Sequence, residues 1–277
     1  MYFLASSISQ FLTFNFALFT RMLQYGYNIQ TINIVVWFCK IRYYFFYVFV
    51  DIPRYFIILA SIDRYLASSS DMHRRRWSTP KIAIRLIIGN VLFWCIIYIH
   101  IPIFYEIQNG DCSFRKGIYS IFFCIYLLIE SGIIPPLMML IFGLLTLNNI
   151  RRSKRNIRPI QVVDVTASLQ FNRISKKDLQ LSKMLFNQIC LWIILNMLNP
   201  CYLLYRTMTI NDTKSSVRLA VELFINNMSY SSIYLEFSLT FFIYTLSSPL
   251  FRRELKKLMC NKLLHCLPLN MICRNTA

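Results

Sequence analysis

Charged residues, and acidic ones above all, are scarce in this sequence of 277 residues. Charged residues make up 15% of the chain and hydrophobic residues 56%, whereas a typical soluble domain has about 25% charged residues. A water-soluble fold of this size has too small an interior for so many apolar side chains. The composition therefore argues against a soluble domain and predicts a protein whose apolar surface faces a lipid bilayer.

Three further shortages narrow the classes of function. The chain has only six glycines and no internal repeat, which argues against transporters built from repeats with discontinuous helices. None of its nine cysteines forms a C-x-x-C pair, so we predict no zinc site. His73, His100 and His265 are scattered and no serine elbow accompanies them. We therefore expect no enzyme, no metal and no cofactor.

Six apolar segments are each long enough to cross a membrane. A spanning helix needs about 20 mostly apolar residues, and its backbone groups must be hydrogen-bonded within the segment because lipid offers no partners. The six segments are residues 1–20, 33–62, 86–105, 117–147, 184–205 and 219–246. The prediction is an all-α fold, a polytopic transmembrane helix bundle of six spanning helices within residues 1–251.

Basic residues are unevenly distributed among the loops. Alternate loops and the tail together hold 21 lysines and arginines on one side and six on the other. The positive-inside rule places the richer side in the cytoplasm, including the long loop 148–183 and the tail 252–277. The net charge of +18 does not indicate nucleic-acid binding, because the basic residues form no single stripe.

The tail 252–277 has the pattern of an amphipathic helix that lies on a membrane. Apolar residues recur at helical spacing among its first basic residues, which suits an anionic inner leaflet. Three cysteines in this region are candidate palmitoylation sites or unmodified thiols, and the sequence does not choose between them. They are Cys260, Cys266 and Cys273.

The tripeptide Asp63-Arg64-Tyr65 lies where the second apolar segment meets a basic loop. An arginine at this boundary can pair with the adjacent carboxylate in one state and turn toward a bound partner in another. Burying either charge alone would be costly. The alternative is a flanking arginine whose charged head simply reaches the membrane interface. The tripeptide alone leaves both interpretations open.

Two cysteines fall on the predicted outer side. Cys39 lies near the outer end of the second segment, and Cys112 lies in the outer loop between the third and fourth segments. The outer side is oxidising, so a disulfide between them is chemically permitted. Free cysteine is also common in apolar surroundings, so topology alone does not establish the bond.

The order and spacing of these residues resemble the rhodopsin-like family of G-protein-coupled receptors. Cys39 and Arg64 are 25 positions apart, which is the family's spacing between its disulfide cysteine and the arginine of its DRY motif. Further residues match family positions in the same order: Trp94, Pro102, Pro135-Pro136, Asn199-Pro200 and the stretch from Tyr244 to Arg253. The six segments are similar to the family's second to seventh helices, and we expect the first helix to be absent.

The resemblance implies a receptor that transmits an extracellular signal to a heterotrimeric G protein at the plasma membrane. The ligand would be a peptide or a small molecule. The resemblance also implies a disulfide, a coupling switch and two helix hinges. The disulfide would join Cys39 to Cys112. The coupling switch would consist of Asp63, Arg64, Tyr65 and Tyr244. The hinges would be Pro136 and Pro200.

Several family positions differ in this sequence. The Asn-Pro that usually precedes the terminal tyrosine is Thr240-Phe241, and no acid occurs in the first segment, where the family usually has one near Ser9 or Gln10. The family's Cys-Trp before Pro200 is Met197-Leu198. We therefore do not expect the family's sodium site. Two alternatives stay open, an inactive truncated receptor copy and a transporter or channel.

Ionisable residues inside the predicted helices are candidates for a ligand pocket. Asp51 and Arg54 are three positions apart on one helix face, where they can pair with each other. They are either a structural pair or ligand-binding residues. Glu130, Glu222 and Glu236 belong to the same class of candidates.

Overall fold

The computed structural model describes residues 1–27, 31–108, 110–115, 117–157, 186–209, 212–247 and 252. Six long helices account for most of these residues. They are α1 (Tyr2–Gly26), α2 (Val36–Ser68), α3 (Pro80–Phe104), α4 (Ile118–Arg152, helical to Ile157), α5 (Phe186–Met208) and α6 (Ser216–Ser247). Two short helices, Thr31–Ile34 and Met72–Arg75, and two strands, β1 (Tyr105–Gln108) and β2 (Asp111–Phe114), lie between them.

Five of the six helices, α1 to α5, are long and apolar enough to cross a membrane. The chain is thus a multi-pass helical membrane protein. The sixth helix, α6, has 32 residues, but polar residues such as Asn226, Asn227 and Glu236 make it less apolar than the others. A count of six spans therefore stays a prediction.

Helix α2 forms the centre of the bundle. In its most apolar stretch, 72% of the residues are buried inside the protein, compared with 17% in α3 and 28% in α1 and α4. It packs along α1 and α4 and also touches α3. Most side chains in this stretch of α2 therefore meet another helix, whereas the outer faces of α3 and α4 are left to lipid.

The long helices are interrupted where a regular α-helix does not fit. Helix α1 contains a π-helical segment at Phe14–Leu18, and α4 contains one at Leu128–Ile133, which ends two positions before the first of its two adjacent prolines. A turn of 3₁₀-helix, Tyr98–His100, precedes Pro102 in α3. Helix α5 is broken at Met197, three residues before Pro200.

Pro53 lies inside α2 and leaves one backbone carbonyl without its usual partner. Proline has no N–H, so the carbonyl oxygen of Phe49, four residues earlier, receives no helical hydrogen bond. The buried hydroxyl of Thr13 on α1 lies 2.9 Å from this oxygen and donates to it. Helix α1 thereby satisfies a polar group that lipid could not.

The loop between α3 and α4, which is predicted to lie on the outer side, is a β-hairpin. Strands β1 and β2 are antiparallel, with Tyr105 opposite Phe114. Gly110 adopts a φ of 82° at the turn, a conformation that costs glycine little. Cys112 on β2 forms a disulfide with Cys39 near the outer end of α2, with the two Cα atoms 5.8 Å apart. The predicted disulfide is confirmed, and it ties the hairpin to the central helix.

The predicted segments and the observed helices differ mainly at their ends. Helix α2 continues through Ser68 rather than stopping at residue 62, so Asp63, Arg64 and Tyr65 are helical. Helix α4 extends through the first ten residues of the predicted loop 148–183. The rest of that loop lies outside the described residues. So does the tail 252–277 beyond residue 252, so the division of the chain at residue 251 stays a prediction.

Candidate functional site

Asp51 and Arg54 form an ion pair in the middle of α2. The Nη1 atom of Arg54 lies 2.7 Å from Oδ1 of Asp51, and the side chains are only 4% and 1% exposed. A charged group withdrawn from water this far is costly unless it is paired and fully hydrogen-bonded. The partners of the pair therefore decide which helices it joins.

Arg54 reaches toward α4 and α5. Its Nη1 atom donates to the hydroxyl of Ser131 on α4, and its Nη2 atom donates to Oδ1 of Asn196 on α5 at 2.9 Å. Its guanidinium carbon lies 5.8 Å from the ring centroid of Trp192, also on α5. One arginine thus links the central helix to two others.

Asp51 reaches toward α3. The hydroxyl of Tyr98 donates to Oδ2 of Asp51 and lies 3.3 Å from Oε2 of Glu130 on α4. The hydroxyl of Tyr55 donates to the backbone oxygen of Glu130 at 3.4 Å. The result is a buried charge network, which we define as Asp51, Arg54, Tyr98, Glu130, Ser131 and Asn196. It joins α2, α3, α4 and α5 and contains two carboxyl groups but one guanidinium.

A second buried polar group joins α5 to α6. The amide nitrogen of Gln188 donates to Oε1 of Glu236 at 2.8 Å and is 2.9 Å from the hydroxyl of Thr240. Closer to the outer side, Asn199 donates to the hydroxyl of Ser229 at 3.1 Å. These contacts continue the polar interior of the bundle from the central helix to the last one.

A small cavity lies beside the Asp51–Arg54 pair. It is lined by Asp51, Arg54, Ser131, Asn196, Asn199 and Pro200, among others, and has a volume of about 20 Å³. A space of this size holds about one water molecule. In this conformation an organic ligand has no room beside the pair, so binding there requires the helices that line the cavity to move apart.

The tripeptide Asp63-Arg64-Tyr65 lies at the inner end of α2. The Nη2 atom of Arg64 is 2.7 Å from Oδ2 of Asp63, and the hydroxyl of Ser78 donates to the other carboxyl oxygen at 2.7 Å. The side chain of Arg64 is 35% exposed and that of Asp63 is 15% exposed. Arg64 is therefore held by its neighbour and still accessible from the aqueous side.

Tyr65 connects the basic loop to the end of α4. Its hydroxyl accepts a hydrogen bond from Nη1 of Arg74 at 2.8 Å, and its ring centroid lies 5.7 Å from that of Phe142. Asn149 on α4 donates to the hydroxyl of Ser68 at 3.3 Å. Tyr65 thus contacts the first basic loop and α4, whereas Asp63 and Arg64 line a pocket with the first residues of α1 and with Ser78.

The remaining predicted site residues lie apart from this network. Pro136 follows the π-helical segment Leu128–Ile133 of α4, and Pro200 follows the break at Met197 in α5. Both prolines lie close to irregular backbone, and their role as hinges stays a prediction. Tyr244 lies in α6, but its side chain is outside what the structure describes.

Glu222 differs from the other buried acids. Its carboxyl lies 2.7 Å from the ammonium group of Lys214 and 3.2 Å from Arg218 at the outer end of α6. The hydroxyl of Tyr205 donates to the same carboxyl at 3.1 Å. It is thus satisfied at a helix end and takes no part in the buried charge network.

Sequence reasoning missed half of the buried charge network. Tyr98, Ser131 and Asn196 are neutral and occur in apolar segments without any motif of their own. A usable signal was present, because a buried Arg54 requires polar partners on other helices. Asn196, four residues before Pro200, and Ser131, directly after Glu130, are polar residues in otherwise apolar surroundings.

Comparison with known protein families identifies a match over most of the chain. Residues 2–236 match the family described as 7 transmembrane receptor (rhodopsin family). The matched region includes α1 to α5, the disulfide, the buried charge network and most of α6, whereas Thr240 and Tyr244 lie beyond it. No curated protein matches the chain.

Proposed function

The chain belongs to the rhodopsin family of seven-transmembrane receptors, and from this premise we propose that it transmits an extracellular ligand signal to a heterotrimeric G protein. Members of this family are receptors rather than enzymes. The chain is a multi-pass membrane protein, and the proposed location is the plasma membrane. The loops that hold 21 of the basic residues would face the cytoplasm.

The observation that carries the proposal is the coexistence of two ion pairs on one helix. The buried pair, Asp51–Arg54, joins four helices, and the accessible pair, Asp63–Arg64, lies 12 residues further along α2. Twelve helical residues span about 18 Å. A movement of α2 imposed at the buried pair would therefore reach the cytoplasmic end without passing through a flexible segment.

The ligand would act by changing the contacts of the buried pair. A ligand shifts a conformational equilibrium only as far as it binds the two states differently. The 20 Å³ cavity beside Asp51 and Arg54 is too small for an organic ligand, so a ligand that reaches these charges binds only after the helices that line the cavity have moved apart. Pro200, next to the break in α5, is the proposed hinge for this movement, and Pro136 is the corresponding hinge in α4.

At the cytoplasmic end, release of Arg64 from Asp63 would provide the contact with the G protein. Arg64 is accessible and charged, and the basic residues Arg74 to Arg76 lie in the loop that follows. Tyr65 and Tyr244 would complete this coupling switch. In the present structure Arg64 is paired with Asp63, which is the arrangement expected of a resting receptor.

The test is basal nucleotide exchange on a panel of purified heterotrimeric G proteins, with the full chain in lipid nanodiscs. Asp63→Asn removes the charge that holds Arg64. The pair is partly exposed and such a pair contributes about 0–1 kcal/mol, so basal exchange should rise by up to about fivefold. Adding Arg64→Ala to Asp63→Asn should abolish the increase.

Arg115→Ala is the control, since Arg115 lies beside the β-hairpin at the other end of the bundle and pairs with Glu106 rather than with Asp63. It should leave the increase caused by Asp63→Asn largely in place. Unchanged exchange in Asp63→Asn with every G protein, at a normal folded fraction, would contradict the proposal. It would favour an inactive receptor copy.

A further inference from the structure

A large apolar groove lies on the outside of the bundle between α3 and α4. Its volume is about 570 Å³, within the range of about 300–1,000 Å³ found for ligand sites. We call it the α3–α4 groove. Phe93, Phe122 and Ile125 form its walls, and Tyr55, Trp94 and Glu130 form its floor.

The walls of the groove face the membrane and its floor faces the bundle. Phe93, Phe122 and Ile125 are 53%, 57% and 44% exposed, whereas Trp94 and Glu130 are 2% and 5% exposed. All five residues belong to helices that can span a membrane. An occupant would therefore enter sideways from the lipid and would need a hydrocarbon chain to cover the walls.

Glu130 gives this apolar groove one polar feature. Its Oε2 atom lies 3.3 Å from the hydroxyl of Tyr98, but its Oε1 atom is buried and has no hydrogen-bond partner among the described residues. No basic side chain in the described part of the chain forms an ion pair with it, because Arg54 pairs with Asp51 instead. A buried carboxyl oxygen without a partner is costly.

The groups around Glu130 indicate which chemical group could bond to its free carboxyl oxygen. The buried charge network contains two carboxyl groups, Asp51 and Glu130, and a single guanidinium, Arg54. Arg54 is engaged by Asp51, so no cation among the described residues is paired with Glu130. An ammonium group would supply one through a charge-assisted hydrogen bond, which is about twice as strong as a neutral one.

The depth of Glu130 in the hydrocarbon core decides which molecules can bring a polar group to it. Glu130 lies 12 residues after Ile118, the first residue of α4, which corresponds to about 18 Å along the helix. This is near the middle of a hydrocarbon core about 30 Å thick. A phospholipid whose head stays at the interface brings only its acyl chains to this depth, so it leaves the carboxyl unsatisfied.

We propose that the α3–α4 groove binds a single-chain lipid amine, with its primary ammonium group on Oε1 of Glu130 and its alkyl chain against Phe93, Phe122 and Ile125. A head group this small can reach the floor of the groove, which a phospholipid head cannot. Because the hydroxyl of Tyr98 lies between Glu130 and Asp51, the bound amine contacts the buried charge network directly. The site is separate from the cavity beside Arg54.

The test measures binding of tritiated hexadecylamine to the full chain in phosphatidylcholine nanodiscs, with empty nanodiscs subtracted. Binding should saturate at one amine per chain. Hexadecanol, which has the same alkyl chain but no charge, should compete at least about tenfold more weakly. Glu130→Gln, which keeps the size of the side chain and removes its charge, should weaken amine binding by about tenfold or more, one decade being 1.4 kcal/mol.

A second pair of variants tests the groove itself. Ile125→Trp fills it and should abolish saturable binding, even if Glu130→Gln fails to fold. Leu137→Trp is the matched control, because Leu137 is a similarly exposed residue of α4 that does not line the groove, and it should bind the amine like the original chain. No saturable binding, equal competition by hexadecanol, or equal binding in Ile125→Trp and Leu137→Trp would overturn the proposal and leave ordinary lipid as the occupant.

Discussion

Asp51–Arg54 and Asp63–Arg64 are two ion pairs on the same helix with the same nitrogen–oxygen distance of 2.7 Å, but their surroundings differ. The first pair is 1% and 4% exposed, and the second is 15% and 35% exposed. A buried pair is costly to break, because the partner left behind is an uncompensated charge. An exposed pair contributes about 0–1 kcal/mol. Equal geometry therefore predicts unequal roles, with one pair holding the helices together and the other free to open.

Removing one member of each pair tests whether the two pairs contribute differently to stability. Arg54→Met should destabilise the folded chain by about 3–5 kcal/mol, because it leaves Asp51 buried without a cation. Arg64→Met should change stability by about 1 kcal/mol or less. Thermal denaturation in detergent, together with the yield of monodisperse protein, measures both effects.

The double variant Asp51→Leu/Arg54→Met is the control for this prediction. Replacing both members of a buried pair with apolar residues is often neutral or stabilising, so the double variant should recover much of the stability that Arg54→Met loses. A double variant less stable than Arg54→Met would show that the two charges do not act as a pair.

The disulfide between the β-hairpin and α2 provides the next largest effect. Cys39→Ser and Cys112→Ser should each destabilise the chain by about 2–4 kcal/mol, and the double variant should be no worse than either. Cys190→Ser, which changes an exposed free cysteine, should have little effect. Additive losses for Cys39 and Cys112 would mean that each thiol contributes separately.

A smaller loss of stability is expected when the hydrogen bond from α1 to the free carbonyl group near Pro53 in α2 is removed. Thr13→Val keeps the shape of the side chain but removes the hydroxyl that donates to the oxygen of Phe49. A buried acceptor left without a partner costs about 1–3 kcal/mol. In a Pro53→Ala background the same substitution should cost clearly less, because an alanine at this position has the backbone N–H that proline lacks. Equal costs in both backgrounds would refute this role of Thr13.

The sequence predicted the helices and the disulfide because both depend on local or motif-level features. Long apolar segments require helices in lipid, and the spacing of Cys39 and Arg64 matched a known pattern. The pairing of Asp51 with Arg54 followed from helical periodicity on a single helix. The end of α2 was placed too early, because a helix can continue past the hydrocarbon boundary and carry Asp63 and Arg64 into the aqueous region.

The partners contributed by other helices could not be predicted in the same way. Which face of α4 meets α2 depends on the π-helical segment Leu128–Ile133, which rotates the residues that follow it relative to a regular helix. Glu130 and Ser131 lie inside that segment. Glu222 was also misjudged, because the sequence does not show which side chains surround an acid. It was grouped with Glu130 as an acid inside a helix, but it is paired with Lys214 and Arg218 at the helix end.

Basal G-protein nucleotide exchange by Tyr98→Phe tests most directly whether the two ion pairs on α2 act as one switch. This substitution removes the hydroxyl that joins Asp51 to α3 and leaves the cytoplasmic end of α2 untouched. Loss of about 1 kcal/mol from the resting arrangement should raise basal exchange about fivefold. Combined with Asp63→Asn, it should add less than the product of the two separate increases. Unchanged exchange in Tyr98→Phe, at a normal folded fraction, would contradict the account and show that the buried charge network does not control the cytoplasmic pair.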